Sequence, residues 1–391
     1  MPSLAYLTPY GVGLGHASRL VMLAEHLKRD GIRIQFSSYG EAASYISLRG
    51  YECASVYPVE FAWSMEGGFS VKNSIANVPV WFANFSRQVN QEIRNMHKSN
   101  PNIVVSDSRL SPLVVAKMLK VPSVVILNQI KLLLSPRLHN STVPRIFENI
   151  VGEFLGSMWA MAERMVVPDL PPPHTLSANN IWNIGATSRK VEYIGFTSPR
   201  AVIDEQRVMK VADTLGFNKS QPLVFVHVSG PEQTRPALLK ISLETVRRMD
   251  PKIQFVISAG NPKGKSEPVR IGRVSWYYEW CPMRDEIFAS SDILVLRGGH
   301  VALSQAIQFG KPVVTIPIEN HGEQLGNSAK IAELGAGVML NPKQLRPEDL
   351  CDAIGKVLYD QSYNKEVIEL QRLAERLNGI DNVVQIIRSY L

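Results

Sequence analysis

Cysteine is scarce: three residues in 391 (Cys53, Cys281 and Cys351), widely spaced and with no Cys-x-x-Cys pair. That excludes a disulfide framework and a cysteine zinc site, and it points to a reducing compartment. No run of about 18 uninterrupted apolar residues exists, so no spanning helix is expected. The opening MPSLAYLTPYG has neither a basic n-region nor a long apolar core, so no secretory signal is expected there. Zinc-finger spacing and aromatic–basic interleaving are both missing, so nucleic acid is not an expected partner. Charged residues make up 20% and hydrophobic residues 45%, an ordinary globular balance, and the formal net charge of +7 is compatible with an anionic ligand or surface. The length suits two domains at roughly 150 residues each.

Two stretches carry chemistry. Residues 292–327 read DILVLRGGHVALSQAIQFGKPVVTIPIENHGEQLGN. An apolar run over 292–296 breaks at Arg297-Gly298-Gly299-His300. Residues 301–309 have helical character and stop at Gly310-Lys311-Pro312. Residues 313–317 form a second apolar run, followed by a polar loop with His321, Glu323 and Gln324. This is a βαβ unit whose loops leave the carboxyl ends of strands. Two glycines admit close approach of a ligand, and the helix behind them aims free N–H groups and its positive dipole end at the same place. A phosphate or diphosphate suits that turn, with His300 as a donor, and hydroxyl groups suit Glu323 and Gln324. Together they describe a nucleotide-sugar; an ordinary Gly-Gly packing turn is the plainer alternative.

The other stretch opens the chain. Residues 4–8 form a strand running into Gly11-Val12-Gly13-Leu14-Gly15-His16. A helix follows from Ala17 and stops at Gly31, and residues 32–37 form the next strand. A dinucleotide fingerprint is rejected: His16 stands where the third glycine belongs, and the second strand ends in Phe36-Ser37-Ser38, with no carboxylate for a ribose. A histidine at the tip of a glycine loop either serves chemistry on an anionic or hydroxylic group or simply caps the helix. The strand over 102–106 leads to Asp107. In a parallel sheet this carboxylate lies near His16, raising its basicity and fixing its tautomer; alternatively it caps a helix over 111–119.

Further elements follow: a loop over 60–77, a helix over 81–96, a strand over 122–127 and an irregular basic stretch over 128–140. A long apolar helix over 144–164 either packs on the sheet or meets a lipid surface, and a strand covers 165–168. After a connector helix over 205–215, a strand over 223–228 ends in Ser229-Gly230. Helix 238–248, strand 253–258 and a basic loop over 261–265 come next, with Trp280 and Met283 ahead of a helix over 285–289. Beyond the central unit lie a helix over 329–334, a strand over 337–340 and three helices. The expected fold class is α/β: two facing Rossmann-like domains, residues 1–200 and 201–375, with a cleft between them, and a terminal helix in 376–391 packing back on the first.

RGGHVALSQAIQFGKPVVTIPIENHGEQLGNSAKIAELGAG resembles the donor-binding segment of GT-B glycosyltransferases, in particular the MurG-like, family 28-type branch and its archaeal relatives. There an R-x-G turn meets the diphosphate and an acidic–Gln pair precedes Asn-x-Ala. GLGHASR at 13–19 is similar to the N-terminal glycine loop of those families, whose histidine faces the acceptor. The resemblance covers nearly the whole chain. It implies the GT-B fold, a UDP-sugar donor substrate with no cofactor, and inverting transfer of GlcNAc or another hexose to a hydroxyl of a lipid-linked or soluble glycan. His16 would be the general base and Asp107 its partner. Ser229, Gly230, Trp280, Met283, Arg297, Gly298, Gly299, His300, Val301, Gln305, Glu323 and Gln324 would serve the donor, and Gly13, Gly15 and Arg19 the acceptor. Gln305 departs from the family, which often has a ribose-binding Glu there; an amide binds a hydroxyl less strongly. With no Asp-x-Asp pair, a metal on the diphosphate is not expected. The alternatives are a nucleotide-sugar hydrolase, a 2-epimerase (which would need clustered acidic residues not found here) and a non-catalytic nucleotide-sugar binding protein. Apolar side chains at 81–85 and 132–134 favour a lipid-linked acceptor, and with it a cytoplasmic protein touching the inner face of the membrane peripherally.

Overall fold

The computed structural model describes residues 2–59, 78–130, 142–181, 190–198 and 205–391. The loop expected over 60–77, the leucines at 132–134 and most of the basic stretch lie outside the described residues. The chain divides into two compact units; Arg200–Arg376 belongs to the second, and Leu377–Leu391 returns to the first.

In the first unit, β1 (Leu4–Pro9), β2 (Arg33–Ser38), β3 (Cys53–Ser55), β4 (Ile103–Asp107), β5 (Ser123–Ile126), β6 (Arg164–Val167) and β7 (Val191–Tyr193) form one sheet in the order β3-β2-β1-β4-β5-β6-β7. Its pairings are parallel. The helices are α1 (Gly15–Arg29), α2 (Gly40–Leu48), α3 (Val78–Ser99), α4 (Ser111–Leu119), α5 (Thr142–Trp159) and the single turn α6 (Ala178–Ile181). Successive residues of a strand face opposite ways, so Ala5 and Leu7 pack with Leu20, Leu23 and Leu27 of α1, while Tyr6 packs with Met96 of α3 and Val115 of α4.

A buried polar network ties α3 to the sheet. Glu92 receives hydrogen bonds from Tyr6 Oη (2.7 Å), Ser37 Oγ (2.5 Å) and Arg109 Nη2 (2.5 Å). Removing one partner of a buried ion pair leaves the other charge uncompensated. Glu92→Ala is therefore expected to destabilise this unit by about 3–5 kcal/mol, read as a lower urea midpoint. Adding Arg109→Met should recover part of that loss.

Several elements differ from the sequence expectation, β3 and β7 being strands that it did not include. The long apolar helix ends at Trp159, and Arg164 instead opens β6, where its Nε donates to Glu192 Oε1 at 2.5 Å. Trp159 packs on Leu113, Val125 and Met165, while Ile150 and Phe154 stay exposed. Among the described residues, no helix is long and apolar enough to cross a membrane.

The second unit contains α7 (Glu205–Leu215), β8 (Leu223–His227), α8 (Arg235–Arg248), β9 (Gln254–Ser258), β10 (Val269–Gly272), β11 (Ser275–Tyr278), α9 (Arg284–Ser290), β12 (Ile293–Leu296), α10 (His300–Gln308), β13 (Val313–Thr315), α11 (Gly322–Glu333), β14 (Gly337–Met339), α12 (Pro347–Tyr359) and α13 (Gln361–Glu375). The sheet order is β10-β11-β9-β8-β12-β13-β14. Only the edge strand β10 runs antiparallel to its neighbour. β10 and β11 stand beyond the strands expected from the sequence, although SWYY at 275–278 carries the aromatic content of a strand. The expected polar loop at 321–324 is shorter than anticipated: His321 caps α11, so Glu323 and Gln324 lie in that helix's first turn.

After α13 the chain rejoins the first unit as α14 (Gly379–Arg388). Ile380, Val383, Val384 and Ile387 enter the same cluster as Leu20 and Leu27. Asn382 Nδ2 donates to the Ile194 carbonyl at 2.9 Å, and Arg388 Nη2 meets Asp30 Oδ2 at 2.5 Å.

Candidate functional site

In an open parallel sheet, a crevice opens at the carboxyl ends of the two adjacent strands whose connections run to opposite sides. In the first sheet those strands are β1 and β4, with Pro9 opposite Asp107. The loop after β1 holds Gly11, Gly13 and Gly15. Gly13 has φ +73°, a conformation that favours glycine. A Cβ on Gly11 would meet the Tyr39 ring at 2.2 Å. Gly15 opens α1, whose N-cap position is Leu14 with no side-chain cap, so His16 does not cap the helix. Nor does Asp107 cap α4, where Leu110 holds the N-cap position without a side-chain bond.

Instead these two side chains meet. His16 Nδ1 lies 2.7 Å from Asp107 Oδ1. The carboxylate only accepts, so the bonded edge of the imidazole carries a proton, and in the neutral ring the lone pair is on Nε2. The edge of the Tyr10 ring stands 5.8 Å from the imidazole, and the histidine side chain is 22% exposed. Ser108, with φ +60°, turns the chain sharply after the strand, and its Oγ lies 3.4 Å from Asp107 Oδ1. Arg19, expected on the acceptor, is turned inward: its Nε lies 3.1 Å from Asp107 Oδ2, and the side chain is 4% exposed. Burial alone would raise the Asp107 carboxyl; Arg19 and His16 overcome it and hold that group below the ordinary carboxylate range. Its contribution to stability is therefore present above the ordinary carboxylate pKa and lost as pH falls through the depressed folded value.

In the second sheet the same topological point falls between β8 and β12, where His227 pairs with Leu296. The turn after β12 is Arg297-Gly298-Gly299, and α10 starts at His300 with Gly299 as N-cap. A Cβ on Gly298 would meet the Gln324 carbonyl oxygen at 2.2 Å and Ser328 Oγ at 2.4 Å, so α11 packs directly on this turn. A Cβ on Gly299 would meet nothing within 4 Å. Asn327 Nδ2 pins the turn by donating to the Gly298 carbonyl at 3.0 Å.

Several residues expected on the donor hold the turn from within. Arg297 is buried, and its guanidinium donates to the carbonyls of Ile316 (3.1 Å) and Thr234 (2.7 Å), bracing the loops around the turn; burial pushes its pKa down to about 10. His300 is buried as well. Gln324 Oε1 accepts from the Ile318 N–H at 2.9 Å, and Gln305 Oε1 accepts from Arg284 Nη2 at 2.6 Å. Ser229, Gly230, Val301 and Glu323 are half-buried, and the Gly230 carbonyl accepts from Arg235 Nε at 2.8 Å. Trp280 is exposed, while Met283 holds the N-cap position of α9 and its sulfur faces Tyr278 Oη at 3.8 Å.

Two residues were missed in the sequence. Arg284 stacks over the Phe288 ring at 4.3 Å and reaches His227 Nε2 at 3.4 Å. Burial, with Arg284 and Arg235 nearby, holds the His227 imidazole well below its ordinary pKa and hence neutral. The available signal was a lone histidine at the carboxyl end of an apolar strand, and a cation at the start of a short helix. Among the described residues, no group of three or more His, Cys, Asp or Glu side chains could hold a metal.

The family model for the glycosyltransferase family 28 C-terminal domain matches residues 233–383, and that for glycosyl transferase family 1 matches residues 8–154. An uncharacterized glycosyltransferase of Methanosarcina mazei is 27% identical over 371 residues, 94% of this chain and 93% of its own. Human UDP-glucuronosyltransferase 2A3 is 34% identical over 112 residues, 28% of this chain and 21% of its own. Among solved structures, the glycotransferase of kitacinnamycin aligns at TM-score 0.71 and 15% identity, covering 100% of this chain and 99% of its own. Spinosyn rhamnosyltransferase SpnG complexed with thymidine diphosphate aligns at TM-score 0.69 and 16% identity, covering 99% and 100%.

Proposed function

The chain belongs to the family 28-type GT-B glycosyltransferases, and from that premise we propose that it is an inverting, metal-independent enzyme that moves a hexose from a UDP-sugar to an acceptor hydroxyl. The observation that carries this reading is the 2.7 Å contact of His16 Nδ1 with Asp107, which leaves Nε2 as a base at the topological switch point of its sheet. Nε2 takes the proton of the acceptor hydroxyl as that oxygen attacks the anomeric carbon. The bond from that carbon to the diphosphate breaks, and the sugar changes anomeric configuration. The departing charge is met by the N–H groups at the start of α10, across the open face of Gly299. His300 is buried, so this helix start serves the anion through its backbone. Metal independence is supported by the absence of an Asp-x-Asp pair in the sequence.

UDP as the nucleotide is supported by the local match to a UDP-glucuronosyltransferase, and TDP is the competitor suggested by the SpnG complex. SpnG also has a structure complexed with spinosyn aglycone. An apolar acceptor here is supported by the stacked Trp81 and Phe85 rings (5.3 Å apart, 5° between planes) and by exposed Phe82, Ile150 and Phe154. We place the acceptor on a lipid carrier, with peripheral membrane contact through these side chains.

The test is product analysis with UDP-GlcNAc and TDP-sugars, with and without a polyprenyl-phosphate-linked sugar. Acceptor-dependent UDP release, an inverted anomeric linkage by NMR and full activity in EDTA are expected. Equal release without acceptor would make the chain a hydrolase, and loss of activity in EDTA would overturn metal independence.

A further inference from the structure

We propose that Arg19 is a positioning residue for the base: by holding the second carboxylate oxygen of Asp107, it keeps the first on His16 Nδ1 and Nε2 turned outward. The inference rests on the reading of His16 as the base. Arg19 stands three positions after His16 along α1, so the two side chains leave neighbouring points on one helix face. They converge on a single carboxylate delivered by β4. Oδ1 of Asp107 meets His16 Nδ1 at 2.7 Å, and Oδ2 meets Arg19 Nε at 3.1 Å.

A carboxylate with one partner can rotate and offer either oxygen. One with a guanidinium beside its second oxygen favours the orientation that keeps the first oxygen on the imidazole. Burial makes this grip effective, because Asp107 and Arg19 are both shielded from water. Among the described residues, Arg19 Nη1 and Asp107 Oδ2 are both buried with no hydrogen-bond partner, so the 3.1 Å approach of Nε to Oδ2 is an ion-pair contact, and an apolar residue filling the space of Arg19 would avoid the cost of the unpartnered Nη1. Asp107 is met by Arg19 and His16 from α1 and by Ser108 from the end of its own strand; His16 is also met by the ring edge of Tyr10.

In Arg19→Met, kcat is expected to fall about tenfold, as loss of alignment predicts, with KM values little changed. Arg19→Lys, which keeps a cation beside Asp107 Oδ2, should recover most of that loss. Arg19→Gln, which keeps a donor without the charge, should show a smaller loss of kcat than Arg19→Met.

A residue serving packing alone would give all three variants lower melting temperatures with kcat losses that follow them and no recovery in Arg19→Lys, and that result would overturn the proposal. The comparison of Arg19→Met in the wild-type and His16→Ala backgrounds reads the same coupling: a loss of kcat that disappears when the imidazole is absent supports action through the base. A His16→Ala enzyme as active as wild type would overturn the base. An inactive His16→Ala with an unchanged kcat in Arg19→Met would retain the base and overturn the role of Arg19.

Discussion

Replacing His16 by alanine is expected to lower kcat by about 10²- to 10⁴-fold, the usual worth of a positioned general base, with little change in KM for the nucleotide-sugar. The reason is local. His16 sits on the first turn of α1 and is held by Asp107, while the proposed donor contacts are made by residues 229–324. Removing the imidazole takes away the proton acceptor and leaves the diphosphate turn intact. Asp107→Asn should approach the same loss by another route: an amide donor facing Nδ1 favours the tautomer with its proton on Nε2, so the outward edge is no longer basic. Steady-state kinetics on both variants, with nucleotide binding measured by calorimetry, checks this. A His16→Ala enzyme within threefold of wild-type kcat would remove the histidine from the mechanism.

The neighbouring glycines of the donor turn should behave oppositely on mutation. Gly298→Ala puts a methyl group 2.2 Å from the Gln324 carbonyl oxygen and 2.4 Å from Ser328 Oγ, and a backbone oxygen cannot step aside alone. The first turn of α11 must shift, carrying Glu323 and Gln324 with it and straining the Asn327 bond to the turn. Overpacking of this kind costs about 1–3 kcal/mol. The melting temperature of the second unit should fall, and UDP affinity should drop at least about tenfold as the turn is displaced. Gly299→Ala meets nothing within 4 Å, and Gly299 has φ −71°, which any residue adopts. This variant should fold with an unchanged melting temperature. Its methyl group stands where the diphosphate would approach, so KM for the donor should rise while stability does not. Equal thermal stability of both variants would refute the packing role of Gly298.

Gln305 illustrates where a motif stops being informative. Read along the chain, it stands where related enzymes often carry a ribose-binding carboxylate, and the question was only how well an amide could substitute. In the fold its amide oxygen is engaged by Arg284, 21 residues away. Arg297 is similar: it belongs to the motif, yet its guanidinium faces backbone carbonyls of two other loops. A motif records which residues recur together, and each of these side chains reached a partner that the motif does not contain.

What the amino-acid sequence determined by itself depends on near neighbours: most of the strands and helices, the glycine loops that join them, and the two-unit α/β plan. Apolar periodicity and the φ preferences of glycine and proline act within a few residues, so they are legible without the fold. Tertiary structure alone decided that β1 lies beside β4 and β8 beside β12. That pairing sets Asp107 against His16 across 91 residues of chain, turns Arg19 from a candidate acceptor contact into an ion-pair partner of the same carboxylate, and brings Arg284 onto His227. Such contacts are set by which strands pair, and strand pairing is a property of the whole sheet.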